Sequence, residues 1–130
     1  MSDLSRINLT DDKDLIINKI KKAKTDPLPM PHTLKELDKR LEAQNLLGIY
    51  SSLTNSTLEK SIEIFAGKNF SEFKEKLSEV LVDRIQPISL EIKKLLKDKS
   101  YLDSTLLEGV ERANKIASQK IKRIKEIVGF

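Results

Sequence analysis

The sequence is poor in the residues that build covalent and metal-based sites. It has no cysteine and a single histidine, His32. Disulfides, thiolate nucleophiles and sulfur-ligated metals are therefore excluded, and a histidine-based zinc site has almost no ligands. His32 lies among prolines with no carboxylate next to it in sequence, which is more typical of a solvated or packed side chain than of a catalytic base. The sequence predicts no catalytic residue and no metal site.

Glycines are also few, and each of the four, at positions 48, 67, 109 and 129, is isolated. Phosphate-binding loops need clustered glycines, so a P-loop or a Rossmann motif within this chain is excluded. No apolar run approaches the roughly 20 residues that span a bilayer, and the first residues, MSDLSRINLTDD, lack the basic-then-apolar order of a signal peptide. Together with the lack of cysteine, this predicts a cytoplasmic protein.

The composition instead favours long helices. The chain has 130 residues, the size of one ordinary domain, and 38% of them are hydrophobic and 34% charged. Only 4 Gly and 4 Pro leave little room for turns, and the abundant Leu, Ile, Lys and Glu lose little side-chain freedom in a helix. We predict an all-α helical bundle of about five helices, forming one domain over residues 1–130 in which residues 1–10 are a leading segment.

Prolines and acidic residues mark the first boundaries. Apolar positions at helical spacing predict a helix from Thr10, with Asp11, Asp12 and Asp14 at its positive amino end. Residues 25–32 hold three of the four prolines and predict a stiff, non-helical connector. A later helix is predicted to begin near Ser71 and to continue through a kink at Pro87.

Three pairs of a hydroxyl residue and an acid predict further helix starts. In such a pair the hydroxyl accepts a hydrogen bond from the backbone amide three residues later. The side chain of the acid accepts one from the backbone amide of the hydroxyl residue. The last helix should end at Gly129, which suits a helix terminus. The pairs are Thr33 with Glu36, Ser56 with Glu59, and Ser100 with Asp103.

The last helix has the most regular apolar pattern of the chain, with one apolar residue for each turn along a single face. We call this face the terminal stripe. Lys120 falls inside the stripe, so its side chain either extends past packed neighbours or marks where the stripe faces a partner. The stripe consists of Leu106, Val110, Ala113, Ala117, Ile121, Ile124 and Val128.

Positive charge makes a polyanionic partner plausible. The net charge is +4 and the pI is about 9.2, and lysines and arginines gain affinity by releasing counterions from phosphates. On the last helix, Arg112 and Arg123 point the same way at the edge of the terminal stripe, whereas Lys115 and Lys122 point nearly opposite to it. Charge runs on helices are also common on plain solvated faces, and Lys22 complements the dipole of its own helix. The candidate RNA-binding residues are Arg112, Arg123, Lys115, Lys120, Lys122 and Lys22.

Short motifs follow one another in a fixed order from Ser5 to Phe130. In that order they resemble the region that follows the KMSKS loop in bacterial tryptophanyl-tRNA synthetases, which are class I enzymes. Leu41 departs from the family pattern, which usually has proline there, so a helix break near Arg40 is left open. The motifs are Ser5-Arg6-Ile7, Ala23-Lys24-Thr25-Asp26, Asn45-Leu46-Leu47 with Ile49-Tyr50, Phe73-Lys74 with Leu77, Ile85-Gln86-Pro87-Ile88, Tyr101-Leu102-Asp103, Leu107-Glu108-Gly109, Ala113, Ala117 and Val128-Gly129-Phe130.

The resemblance implies a carboxy-terminal helical domain that binds the anticodon end of the tryptophan tRNA. The full-length parent attaches L-tryptophan to this tRNA with ATP and Mg²⁺, and is expected to be a homodimer with a catalytic Rossmann domain. The HIGH motif, the KMSKS lysine and the tryptophan pocket of that domain are missing here, so the resemblance implies binding without catalysis and without a cofactor. An alternative is a protein-interaction module that packs on the catalytic domain or on a second subunit.

Overall fold

The computed structural model describes residues 3–129, and all of its regular elements are helices. The all-α prediction is confirmed; the count is six α-helices in this range rather than about five, because one of them is a single turn. A short 3-10 helix at Asp3–Ser5 precedes them. Met1, Ser2 and Phe130, the last residue of the family motifs, lie outside the described residues. The helices are α1 (Lys13–Lys22), α2 (Leu34–Leu37), α3 (Leu41–Thr54), α4 (Leu58–Phe65), α5 (Phe70–Lys97) and α6 (Lys99–Val128).

The chain divides into two compact units, residues 1–90 and 91–130. All buried apolar side chains of the described range belong to the first unit, where α1 to α5 and the connector each contribute to one core. At its centre the rings of Tyr50, Phe65 and Phe73 meet edge to face, with centroids 4.9 Å apart for Tyr50 and Phe65 and 4.8 Å apart for Phe65 and Phe73. The three aromatic side chains are thus part of the core of the first unit.

Helix α1 begins later than predicted, at Lys13 rather than Thr10. Asp12 is its N-cap and accepts a hydrogen bond from the amide of Leu15. Asp11 takes no part in the cap: its carboxylate is buried and lies 2.7 Å from Nζ of Lys19. Burial raises the pKa of Asp11, but hydrogen bonds from Lys19 and from the amide of Asn8 outweigh this effect and hold it below its ordinary value. The prediction of a simple acidic helix start was wrong for this residue.

The proline-rich connector is held against the first unit by hydrogen bonds. Met30 is buried, its amide donates to the carbonyl of Lys68 at 2.8 Å, and its carbonyl accepts from the amide of Gly67 at 3.1 Å. Gly67 has a φ of +71°, as expected of a residue that follows a helix end. The connector is thus non-helical, as predicted, and is anchored to the turn between α4 and α5.

The helix that begins after Thr33 breaks before Leu41. The amide of Glu36 donates to Thr33 Oγ1 at 3.3 Å, which confirms this cap. The carboxylate of Glu36 binds the amide of His32, one residue before the cap, at 2.9 Å. Helix α2 ends after one turn and α3 starts at Leu41, so the helix break left open near Arg40 is present.

Two predicted caps are displaced by one or two residues. Thr57, not Ser56, caps α4 by accepting from the amide of Lys60, because the Ser56 hydroxyl lies 2.8 Å from Thr54 Oγ1 and 3.1 Å from Ser61 Oγ. Asp98, not Ser100, caps α6: it accepts from the amide of Tyr101 at 3.0 Å, while the Ser100 hydroxyl donates to Asp98. In both places the hydroxyl that was predicted to cap the helix already forms a hydrogen bond with a neighbouring side chain.

Helix α5 begins at Phe70, one residue before the predicted Ser71, and Pro87 does not end it. The boundary between the units falls within this helix. Helix α6 has 30 residues, ends at Gly129 with a φ of +83°, and has no buried residue. The residues of the terminal stripe are therefore all exposed on α6.

Candidate nucleic-acid interface

The net positive charge of the chain lies in the second unit. Residues 1–90 hold 14 Lys and Arg and 14 Asp and Glu, whereas residues 91–130 hold 10 and 6. The net charge of +4 therefore comes wholly from the last 40 residues. Among these residues, α6 has six cations and no acid between Glu111 and Glu126. This segment is the strongest candidate for contact with a polyanion.

The α6 cations are all exposed. Within residues 3–129 none of the six forms an ion pair, so their ammonium and guanidinium groups are not neutralised by nearby carboxylates. The side chain of Arg112 donates one hydrogen bond within the described part of the chain, from Nε to the carbonyl of Glu108 at 3.3 Å. These side chains can reach phosphates without first breaking a salt bridge. The six residues are Arg112, Lys115, Lys120, Lys122, Arg123 and Lys125.

The helix period sorts these cations into three directions. With about 100° per residue, Arg112 and Arg123 lie on one edge of the terminal stripe, and Lys115 and Lys122 point away from the stripe. Lys120 lies within the stripe. Because α6 is continuous over this range, the two arginines are on the same side of the helix and about 16 Å apart along its axis, a spacing that allows contact with separate phosphates of one strand.

Lys22 is the remaining predicted candidate, and it lies in the first unit. It is the exposed last residue of α1. It lines a cavity of about 630 Å³ together with Arg6, Lys24 and apolar residues of α1 and α3. Lys24 is paired there with Glu42 at 3.0 Å. Lys22 is therefore part of a surface of the first unit, whereas the α6 cations belong to the second.

Lys74 has a structural role that the sequence pattern did not indicate. Its Nζ donates to the carbonyl oxygens of Ala23, at 2.6 Å, and of Lys21, at 3.2 Å, and so binds the carboxy end of α1. Burial lowers the pKa of the Lys74 ammonium. Lys74 also lines a groove of about 940 Å³ between α1 and α5. The two ends of this contact are 51 residues apart in sequence, and no local signal connects them.

Two kinds of site are not found in the described range. Across residues 3–129 no three His, Asp or Glu side chains are grouped closely enough to hold a metal ion. None of the helices in the same range is long and apolar enough to cross a membrane. The ring of His32 lies close to Gly67: a Cβ added at Gly67 would be 3.1 Å from this ring.

Comparison with known proteins gives one consistent family. No protein-family model matches the chain. The chain is 44% identical over 129 residues to the tryptophan–tRNA ligase of Brucella melitensis and 45% identical over 129 residues to that of Agrobacterium fabrum, covering 99% of this chain and 36% of each relative. It is 47% identical over 130 residues to the tryptophan–tRNA ligase of Rickettsia felis, covering 100% of this chain and 39% of that protein.

The chain thus spans little more than a third of the length of these relatives. The alignments cover nearly every residue of both units, including α6 and its cations. At this level of identity over the whole chain, the resemblance of the motifs is confirmed. The chain is homologous to the carboxy-terminal part of the bacterial tryptophan–tRNA ligases.

Proposed function

We propose that this chain is the tRNA-binding helical domain of a tryptophan–tRNA ligase and receives the anticodon end of the tryptophan tRNA. The observation that carries the proposal is the 43–47% identity to these ligases along the chain. The concentration of net charge in the second unit supports it, since phosphate contacts supply most of the sequence-independent affinity for RNA. Arg112, Arg123, Lys115 and Lys122 are the residues assigned to these contacts, with Lys120 and Lys22 as further candidates.

Catalysis is assigned to the part of the relatives that lies outside this chain. Attachment of tryptophan to tRNA with ATP and Mg²⁺ is the expected activity of a full-length parent in the cytoplasm, which would act as a homodimer through its catalytic Rossmann domain. The chain alone is expected to give no tryptophan-dependent exchange of pyrophosphate into ATP. Exchange above the background of a mock purification would overturn this assignment.

A salt series tests RNA binding directly. The purified chain is titrated against tryptophan tRNA in a filter-binding assay from about 50 to 200 mM salt. Phosphate contacts make the logarithm of the affinity fall linearly with the logarithm of salt concentration, with a slope of about −0.7 to −0.9 for each contact. Four contacts thus predict a slope near −3. No binding at the lowest salt concentration would contradict RNA recognition by this chain.

The terminal stripe favours a second candidate function, that of a protein-interaction module. Its large side chains are exposed, with Leu106 at 67% and Ile121 at 53%. A continuous apolar face of this kind commonly marks a contact with another protein surface. The same titration separates the two functions, because apolar packing on a protein does not produce a tRNA affinity that falls with salt.

A further inference from the structure

Two of the short motifs that carry the family resemblance meet in the first unit. Ala23-Lys24-Thr25-Asp26 follows the end of α1, and Phe73-Lys74 lies in the first turns of α5. The Lys74 ammonium donates to the carbonyl oxygens of Ala23, at 2.6 Å, and of Lys21, at 3.2 Å. Segments 51 residues apart in sequence are thus joined by one side chain.

We propose that residues 21–26, which we call the basic turn, bind a phosphate group of the RNA backbone. Lys22 and Lys24 are assigned to the phosphate, and Lys74 is the residue that positions them. Both lysines line the same cavity of about 630 Å³, so their side chains can reach the same ligand. The site rests on the proposed function, because it requires a chain that binds RNA, and it adds a contact in the first unit to those assigned to α6.

The carboxy end of α1 depends on Lys74 because it lacks a cap of its own. The C-cap residue, Ala23, has a φ of −56° and a ψ of 132°, so the chain leaves the helix without the left-handed residue that commonly closes one. Carbonyl oxygens at a helix end lack intrahelical donors and carry partial negative charge. Lys74 already complements this charge, so Lys22 and Lys24 are available to another anion.

Two further contacts hold the basic turn. Lys24 forms an ion pair with Glu42 at 3.0 Å, and Arg40 binds the carboxylate of Asp26 through Nη2 at 2.6 Å and Nε at 2.9 Å. The turn is therefore held at its start from α5, and at its middle and end from the beginning of α3. The Lys24 side chain is 85% exposed, and an ammonium has three donors, so the pair with Glu42 leaves donors for a phosphate. A turn that is already ordered loses little conformational entropy when a ligand binds it.

The groups that the basic turn leaves unpaired are positive charges and hydrogen-bond donors. Lys21 and Lys22 form no ion pair within residues 3–129, and in the same range the backbone amides of Lys24 and Thr25 have no acceptor. The one carboxylate of the turn and two of its carbonyl oxygens are already bound by cations of the first unit. Ammonium groups beside unpaired amides favour an anion such as phosphate.

A double-mutant cycle on the 130-residue chain tests the site, with tryptophan tRNA in the filter-binding salt series. Changing both Lys22 and Lys24 to Ala should reduce the slope by about 0.7 to 0.9, because one phosphate contact is lost, and should lower the affinity at about 50 mM salt at least about fivefold. Lys74→Met keeps the aliphatic stem without the ammonium and should give the same loss. In the chain that already lacks Lys22 and Lys24, Lys74→Met should change the affinity by less than about twofold, because Lys74 acts through them.

Two matched variants separate positioning from charge. Lys76→Met removes an exposed lysine of the same helix, whose Nζ lies 2.7 Å from Glu79, and should leave the affinity within about twofold of the parent. Lys74→Arg keeps donors for the two carbonyl oxygens and should retain most of the tRNA affinity. Helicity and urea unfolding are measured for each variant. If Lys74→Met does not fold, the double alanine variant of Lys22 and Lys24, which changes only exposed side chains, still decides whether the site exists.

Inorganic phosphate tests the site without RNA. The amide signals of Lys24 and Thr25 in the ¹⁵N-labelled chain should shift when phosphate is added at millimolar concentration, and the shifts should be smaller in Lys74→Met. An unchanged slope after loss of Lys22 and Lys24, equal effects of Lys74→Met in both backgrounds, or amide signals that do not respond to phosphate would overturn the site, even in a chain that binds tRNA. Phosphate shifts in a chain that binds no tRNA would instead overturn the proposed function, and with it the assignment of the phosphate to RNA.

Discussion

Arg40 binds Asp26 through two hydrogen bonds, from Nε at 2.9 Å and from Nη2 at 2.6 Å. The same guanidinium donates to the carbonyls of Pro29 at 2.7 Å and Leu28 at 3.2 Å, and its Cζ lies 5.6 Å from the centre of the Phe70 ring. One side chain thus ties the first half of the proline-rich connector to the start of α5. The planar fork of arginine allows all of these contacts at once.

Replacing Arg40 by lysine should destabilise the first unit by about 2 kcal/mol. A lysine ammonium cannot bind both carboxylate oxygens and two carbonyls in this geometry, and it loses the contact with the Phe70 ring. Urea unfolding followed by circular dichroism measures the change. The neighbouring exposed Lys39, changed to Ala, is the control and should stay within about 0.5 kcal/mol. An equal effect of both substitutions would contradict the role assigned to Arg40.

The Asp26–Arg40 pair predicts a loss of stability in acid. The hydrogen bond from Arg40 holds the pKa of Asp26 below its ordinary value, although burial opposes this. A carboxylate with a lowered folded-state pKa stabilises the fold fully above its unfolded pKa, about 3.9, and this contribution is lost as the pH falls through the folded value. The stability difference between the parent and Asp26→Asn should therefore be largest near pH 7 and should shrink below about pH 4. In an Arg40→Met background this pH dependence should become smaller but not vanish, because the hydrogen bond from the amide of Leu28 still favours the charged carboxylate.

Removing one partner of the buried Lys19–Asp11 pair should strongly destabilise the fold. Their side chains are 1% and 5% exposed. Lys19→Ala leaves a carboxylate in the core without its ammonium partner, which destabilises a protein by about 3–5 kcal/mol. Thermal and urea unfolding measure the effect. Lys22→Ala removes the same charge from the exposed end of the same helix and should change stability by less than about 0.5 kcal/mol; similar losses at both positions would count against the pair.

Replacing Gly67 and Gly48 by alanine should change the stability of the fold in opposite directions. Gly67 has a φ of +71°, and an added Cβ would lie 3.1 Å from the His32 ring, so Gly67→Ala should destabilise the chain by about 1 kcal/mol. Gly48 lies within α3 with nothing within 4 Å of an added Cβ. Gly48→Ala should stabilise the chain by about 0.5–1 kcal/mol. Melting temperatures of the two variants, measured side by side, check both signs.

Loss of Arg112 and Arg123 should weaken tRNA binding without unfolding the domain. Changing both to Ala should reduce the slope of the salt dependence by about 1.5, because each phosphate contact contributes about 0.7 to 0.9. Lys93 and Lys97, changed together to Ala, remove the same charge from α5 and should leave the slope nearly unchanged. Helicity is measured for both variants. An unchanged slope for the arginine variant would refute its assignment.

Local signals predicted most of the helices of this chain. The connector, the cap at Thr33 and the ends at Gly67 and Gly129 follow from proline, hydroxyl and glycine residues acting on their immediate neighbours. The caps at Ser56 and Ser100 were predicted wrongly because two capping residues stand close together at each place. The Ser56 hydroxyl is bonded to Thr54 and Ser61, and the Ser100 hydroxyl donates to Asp98, so the adjacent capping residue binds the helix amides instead.

Long-range contacts could not be predicted from spacing. Arg40 binds Asp26, which is 14 residues away in the sequence, and Lys74 binds the carbonyl of Ala23, which is 51 residues away. Neither pair lies on one helix face. The terminal stripe shows a different limit. Its period correctly predicted an amphipathic helix. A period shows that one face is apolar, but it does not predict which surface this face contacts. The same pattern is equally regular whether the face is buried in its own chain or left open.

The division of charge between the two units has a practical consequence. Because residues 1–90 carry equal numbers of acidic and basic side chains, the pI near 9.2 reflects the last 40 residues, chiefly α6, and not the packed core. Exchanging three exposed α6 lysines for glutamate would change the net charge from +4 to −2 without touching a core side chain. Electrophoretic behaviour and folding stability can therefore be engineered independently in this protein.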